Sequence, residues 1–218
     1  MEQTKYKAAI FDLDGTLMDS MGVWRQIDVE FLGKRGLSVP PDYLDAITPM
    51  GFEAAADYTI ERFGFPETRE EILREWYDMA IYSYANTVPL KKGAMEYLQM
   101  LKEQDIKMAV ATASDKQLVI PALTNNGVLD MFDNITTVRE VSRGKGFPDV
   151  YDKAAERMGI HPEECIVFED ILAGIQGARM GGYRAVAIYD EHSVEPAEII
   201  KENADAYIMD FRGCSFPL

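Results

Sequence analysis

Four short stretches of this 218-residue chain carry the residue types that chemistry on an anion needs. The first is Asp12-Leu13-Asp14-Gly15-Thr16, which follows the apolar run Ala8-Ala9-Ile10-Phe11. Two carboxylates two residues apart at a strand end, followed by glycine, can converge on one point. Like charges gathered there resist ionisation, and a cation or a shared proton relieves them. A surface turn built from Asp and Gly is the plainer alternative, and the buried-strand pattern directly before Asp12 favours a site. The second stretch, Thr112-Ala113-Ser114, offers hydroxyls and backbone N–H groups to an oxyanion. Ser114 and Gln117 also have capping-box spacing, which would start a helix whose positive end faces an anion. Capping alone would account for Ser114 equally well, and Pro121 falls inside that helix, where it would delay or kink it.

The third stretch is the Gly-rich loop Ser142-Arg143-Gly144-Lys145-Gly146-Phe147-Pro148. Lys145 could supply a local cation, although loop lysines are ordinarily solvated, and Arg143 competes for the role. In the fourth, the run Cys165-Ile166-Val167-Phe168 ends in Glu169-Asp170. Asp170 could be simply a helix N-cap. Together with Asp12 and Asp14 it completes an oxygen-rich cluster suited to Mg²⁺, which prefers one or two carboxylates, waters and phosphate. Ala173, Gly174, Gly177 and Ala178 would let the next helix lie close on the sheet.

Residues of this kind need elements that bring them together. Short, mostly continuous apolar runs at 8–11, 106–111, 134–138, 165–168, 184–188 and 206–209 read as strands covered on both faces. Helical patterns such as Tyr151-Ala154-Ala155-Met158 lie between them. This alternation implies right-handed βαβ units, hence an α/β fold with a parallel sheet and helices on both faces. In such sheets ligands bind beyond the carboxyl ends of the strands, where the chain order reverses. One interval breaks the rhythm: residues 19–88 show only helical patterns, such as Trp24-Ile27-Phe31-Leu32 and Ile72-Leu73-Trp76-Met79-Ala80. That is too long for a loop. It reads as an inserted all-helical domain, with 1–18 and 89–218 forming the core.

Composition narrows the class. A chain 47% hydrophobic and 27% charged reads as an ordinary soluble globular protein. No apolar run approaches the ~20 residues of a membrane span, and the polar start, residues 1–7, gives no expectation of a secretory signal. Cys165 and Cys214 are too few for a disulfide framework, which fits a reducing, cytoplasmic compartment. The net charge of −15 argues against nucleic acid or an anionic membrane as partner. It also demands a local cation if the ligand is itself an anion. A monomer is the default expectation.

The four stretches, in this order, closely resemble the motifs of the haloacid dehalogenase superfamily. The similarity is to its phosphatase and β-phosphoglucomutase-like branch, which carries a helical cap after the first motif, and it runs from about Lys7 to Asp210. The resemblance implies a Rossmann-like core and an enzyme that hydrolyses a phosphate monoester of a small metabolite. It implies that Asp12 attacks phosphorus and that Asp14 serves as general acid and base. Mg²⁺ would be held by Asp12, the Asp14 carbonyl and Asp170, with Glu169 nearby, and Thr112 and Lys145 would bind the transferring oxygens. Ser114 joins the substrate-binding candidates, as do Trp24 and Arg25 of the cap. Cap movement hinged near 18–20 and 88–91 would admit substrate.

The alternatives are a phosphosugar mutase and a non-catalytic module on the same fold. β-Phosphoglucomutases carry His where Trp24 stands and an Arg-containing cap loop, whereas Pro49-Met50-Gly51-Phe52-Glu53 has no Arg. Dehalogenases lack the second aspartate of the first motif, which is present here as Asp14. Two departures from the family pattern are Gly146, where proline commonly follows the lysine, and Ile171, where serine often follows Glu-Asp.

Overall fold

Runs that are apolar without alternation can hide both faces of a strand, and four largely apolar runs lie at the centre of one six-stranded sheet here, between two partly buried edge strands. The computed structural model describes residues 5–47, 50–193 and 195–217. Its strands are β1 (Ala8–Phe11), β2 (Lys107–Thr112), β3 (Asn134–Thr137), β4 (Cys165–Glu169), β5 (Arg184–Ile188) and β6 (Ala206–Ile208). Their spatial order is β3-β2-β1-β4-β5-β6, with every pairing parallel. Each expected strand is present, displaced by no more than one residue at either end. The order reverses between β1 and β4, so the crevice for a ligand lies beyond their carboxyl ends.

The chain divides into two compact units, Gly22–Thr87 and the combination of Met1–Met21 with Val88–Leu218. The first unit is helical, with α1 (Val23–Lys34), α2 (Pro41–Ile47), α3 (Phe52–Phe63) and α4 (Arg69–Asn86). Its punctuation follows from sequence. Pro41 is the first residue of α2, where a missing N–H does no harm. Gly64 closes α3 at φ 67°, a conformation that suits glycine. Thr68 and Glu71 form a reciprocal capping box at the start of α4. Ile27, Phe31 and Leu32 of α1 are buried, as are Ile72, Trp76, Met79 and Ala80 of α4. The Trp76 ring meets Phe31 edge-on at 5.5 Å and Phe52 at 5.7 Å. Pro49, part of the cap stretch singled out above, lies outside the described residues.

The second unit holds the sheet with α5 (Ala94–Glu103), α6 (Lys116–Asn125), α7 (Asp149–Met158), α8 (Leu172–Met180) and α9 (Ala197–Asn203). Alternate strand residues point to opposite faces. Ala8, Ile10, Ala109 and Val167 pack with Val150 and Tyr151 of α7. On the other face Phe11 stacks on Phe168 at 4.7 Å and meets Tyr97 of α5 edge-on. The two crossings toward the helical unit run side by side. Met18 and Leu90 form an antiparallel bridge, Asp19 N–H donates to the Pro89 carbonyl (3.0 Å), and Lys91 N–H donates to that of Leu17 (2.9 Å). Among the described residues no helix is long and apolar enough to cross a membrane.

Candidate active site

The register of β1 and β4 places Phe11 beside Phe168, and Asp12 N–H then donates to the Phe168 carbonyl at 2.9 Å. Continuing the strand alternation by one residue sends Asp12 and Glu169 toward the α7 face. Both are buried, as is Asp170. The loop after β3 carries Lys145 into the same place, where its ammonium pairs with Asp12 Oδ1 and donates to Glu169 Oε1 at 2.6 Å. Arg143, its competitor, instead faces Asp149 with two hydrogen bonds and stacks on the Phe147 ring at 4.4 Å. Gly146 does not displace Lys145 from the site: its amine still reaches both carboxylates.

Glycines make the crevice this tight. A Cβ on Gly15, itself at φ 78°, would stand 2.3 Å from Asp170 Oδ2. One on Gly174 would stand 2.3 Å from the Glu169 carboxyl carbon, and one on Gly177 only 2.0 Å from the Lys145 carbonyl oxygen. Helix α8 therefore lies against the groups that form the site, as its small residues led us to expect, although Ala173 faces solvent.

Asp170 is not the N-cap of α8; Ile171 holds that position without a side-chain cap. The Asp170 carboxylate accepts the Thr16 hydroxyl at 2.9 Å. Asp14, less buried than Asp12, accepts the Ser20 hydroxyl (2.7 Å) and the Ser114 hydroxyl (2.5 Å). Ser114 thus holds an acid, and the cap of α6 falls one residue later, where the Asp115 side chain accepts Gln117 N–H. The buried Thr112 hydroxyl accepts Ser114 N–H at 3.0 Å, which leaves its own proton to donate. Trp24 and Arg25 are on α1 of the helical unit. Trp24 is 37% exposed and packs edge-on against Phe52 at 5.1 Å, while Arg25 is exposed.

The electrostatics follow from burial. Desolvation pushes the Asp12 carboxyl well above the usual range; Lys145 pulls it back, and Glu169 and Asp170 push it further up. Burial, then the Glu169 charge, raises Asp170 to about 7. Burial disfavours the Lys145 ammonium, yet Asp12 and Glu169 outweigh it and raise its pKa. Three buried carboxylates share one ammonium, an excess of negative charge that calls for a cation. Ligand atoms of Asp12, Glu169 and Asp170 all lie within 4.8 Å of one another, the one such cluster among the described residues. Glu169 Oε2 is buried without a hydrogen-bond partner. A hard dication that takes oxygen ligands fits this donor set.

Two residues outside the four stretches also contribute, Ser20, whose hydroxyl holds Asp14, and Tyr151, while Thr16 of the first stretch reaches across to hold Asp170. The Tyr151 hydroxyl donates to Glu169 Oε1 at 2.7 Å, and burial, then Glu169, holds its ionisation far above the ordinary value. A signal was available. Tyr151 belongs to the apolar stripe of α7, and a buried tyrosine hydroxyl needs a polar partner.

Known proteins share this architecture. The family model described as haloacid dehalogenase-like hydrolase matches residues 9–188. Validoxylamine A 7'-phosphate phosphatase of Streptomyces hygroscopicus subsp. limoneus is 32% identical over 216 residues, covering 97% of each chain. Hexitol phosphatase B of Escherichia coli K12 is 27% identical over 186 residues, covering 83% of this chain and 82% of the relative. The crystal structure of a protein described as a putative β-phosphoglucomutase from Thermotoga maritima superposes with a TM-score of 0.83. It covers 93% of this chain and 94% of that one, and at 23% identity it shows the shared fold. The family match spans most of the sequence, and the first of these relatives aligns over nearly all of it; the chain is an enzyme of the haloacid dehalogenase-like hydrolases.

Proposed function

We propose that this hydrolase cleaves the phosphate monoester of a small polyhydroxylated metabolite, depends on Mg²⁺, and works through a phosphorylated Asp12. The observation that carries this reading is the convergence of Asp12, Lys145, Glu169 and Asp170 in one buried crevice at the switch point of the sheet. An Asp12 carboxylate oxygen attacks phosphorus as the bond from phosphorus to the leaving oxygen breaks. Asp14 gives that oxygen its proton, then takes one from the water that attacks the aspartyl phosphate, releasing phosphate and restoring Asp12. Lys145 and the Thr112 hydroxyl donate to the transferring oxygens, where fixed donors lower the barrier most. Ser20 and Ser114 orient Asp14 for its proton transfers. Asp12, Glu169, Asp170 and the Asp14 carbonyl are the groups that would hold Mg²⁺, which when bound supplies positive charge to the phosphoryl oxygens and the carboxylates around it.

The relatives support a polyol or sugar phosphate as substrate: beside the two phosphatases above, a fructose-1-phosphate phosphatase of Escherichia coli K12 is 28% identical over 192 residues. Trp24 in place of a cap histidine, and a stretch at 49–53 without arginine, favour hydrolysis over a mutase reaction. The free thiols of Cys165 and Cys214 suit a reducing, cytoplasmic setting, and we take the monomer as the working unit. The test is phosphate release from a panel of hexose, hexitol and cyclitol phosphates and a generic aryl phosphate. Release that stops with a chelator and returns with Mg²⁺ is the expected result. Indifference to the chelator would remove the metal, and isomerisation without release would replace the phosphatase by the mutase.

A further inference from the structure

Glu169 is restrained on three sides. Its Oε1 accepts Lys145 Nζ at 2.6 Å and the Tyr151 hydroxyl at 2.7 Å. The backbone of Gly174 presses against its carboxyl, leaving no room there for even a methyl group. The two donors are not equivalent. Lys145 is shared with Asp12 and, in the function proposed above, must also serve the phosphoryl oxygens. Tyr151 has no such second duty. Its ring is buried on α7 and meets Tyr183 edge-on at 6.0 Å, and the Tyr183 hydroxyl is itself occupied by Asp152 Oδ1 at 2.8 Å.

We infer that the Tyr151 hydroxyl is a positioning group for the metal site: it holds the Glu169 carboxylate in place relative to Asp12 and Asp170 while Lys145 turns to substrate. A glutamate has three side-chain torsions to restrict, and a partner hydrogen-bonded to a ligating carboxylate sets how much of that freedom is lost before the ion binds. Tyr151 performs this from α7, where its ring is fully buried. The inference rests on the Mg²⁺ dependence proposed above.

The experiment is a calorimetric titration of Mg²⁺ alone into the full-length protein, alongside the Mg²⁺ dependence of phosphate release. Tyr151→Phe keeps the ring and removes only the hydroxyl. It is expected to weaken the Mg²⁺ Kd by about 10-fold or more, with half-saturating Mg²⁺ in the assay rising by the same factor. At saturating Mg²⁺, kcat should return to near the wild-type value. Tyr183→Phe removes the neighbouring hydroxyl, which does not touch Glu169, and should leave the Mg²⁺ Kd unchanged. An unaltered Kd in Tyr151→Phe overturns the inference, as does equal weakening in both variants, which would mean general loosening of the core. A wild-type protein that neither binds nor needs Mg²⁺ overturns it together with the metal dependence on which it rests.

Discussion

In the sheet unit Asp12, Lys145, Glu169 and Asp170 lie buried together at the strand ends, whereas the helical unit keeps its ion pairs nearer the surface. There Arg35 bridges Glu67 and Glu75 while lying over the Phe31 ring, and Arg62 and Arg69 pair with Asp42 and Asp57. The interior of the helical unit is aromatic, with Trp76 between Phe31 and Phe52. The exposed pairs of Arg62 and Arg69 contribute little to stability. Buried charges are a different matter, because desolvation can exceed the attraction between them, and apolar residues of equal volume often stabilise better. A fold gains nothing in stability by gathering three carboxylates in a crevice. The helical unit places most of its charge where folding tolerates it, and the buried charges of the sheet unit find their reason in the reaction proposed above.

The largest expected break in this contrast is Asp12→Asn. It should lower turnover of an aryl phosphate by on the order of 10⁴-fold or more, as loss of a nucleophile does. The melting temperature should hold or rise, since a buried charge has gone; turnover near wild type would discard the nucleophile. Next comes Gly177→Ala. Its Cβ would meet the Lys145 carbonyl oxygen at 2.0 Å, and because that is backbone, the loop must shift. A loss of about 3 kcal/mol in urea unfolding, with reduced activity, is expected. Gly33→Ala on α1 is the control, with nothing within 4 Å of its Cβ, and it should be neutral or slightly stabilising.

Among its described residues the helical unit also buries one charged side chain, and it gives the smallest expected effect. Asp28 on α1 is buried, and desolvation raises its pKa to about 6. A carboxyl whose pKa is higher in the folded state binds its proton more tightly there, so stability is lost as pH rises from about 4 through 6. Asp28→Asn removes that loss. The variant should exceed wild type by about 2 kcal/mol at pH 7.5, and the gap should close toward pH 4. Equal stability at both pH values, or a less stable variant at pH 7.5, would mean that Asp28 is well compensated in the fold.

Much of the core was legible because its signals are local. A strand hidden on both faces has no choice but a continuous apolar run, and Asp12 and Glu169 sit at or next to the ends of such runs. Ser114 was harder. Its spacing to Gln117 suits a cap, but it is Asp115 that accepts the Gln117 N–H, and Asp14, a hundred residues earlier in the chain, claims the Ser114 hydroxyl. Tyr151 belongs to a stripe of apolar residues on α7, and its ring packs as one of them. Its hydroxyl has a role only because β4 brings Glu169 beneath α7.

By itself the sequence determined that short apolar runs form the strands to within a residue, that a long helical stretch separates the first from the second, and that carboxylates gathered at their ends need a cation or a shared proton. Those are properties of spacing and composition, set by neighbours in the chain. Only the tertiary structure decided that Lys145 rather than Arg143 enters the crevice. Both cations occupy the same loop, but Asp149 and Phe147 engage Arg143, while Asp12 and Glu169, from two other strands, receive Lys145. Which of two nearby cations is buried depends on the partners that reach it, and those partners are brought there by the sheet.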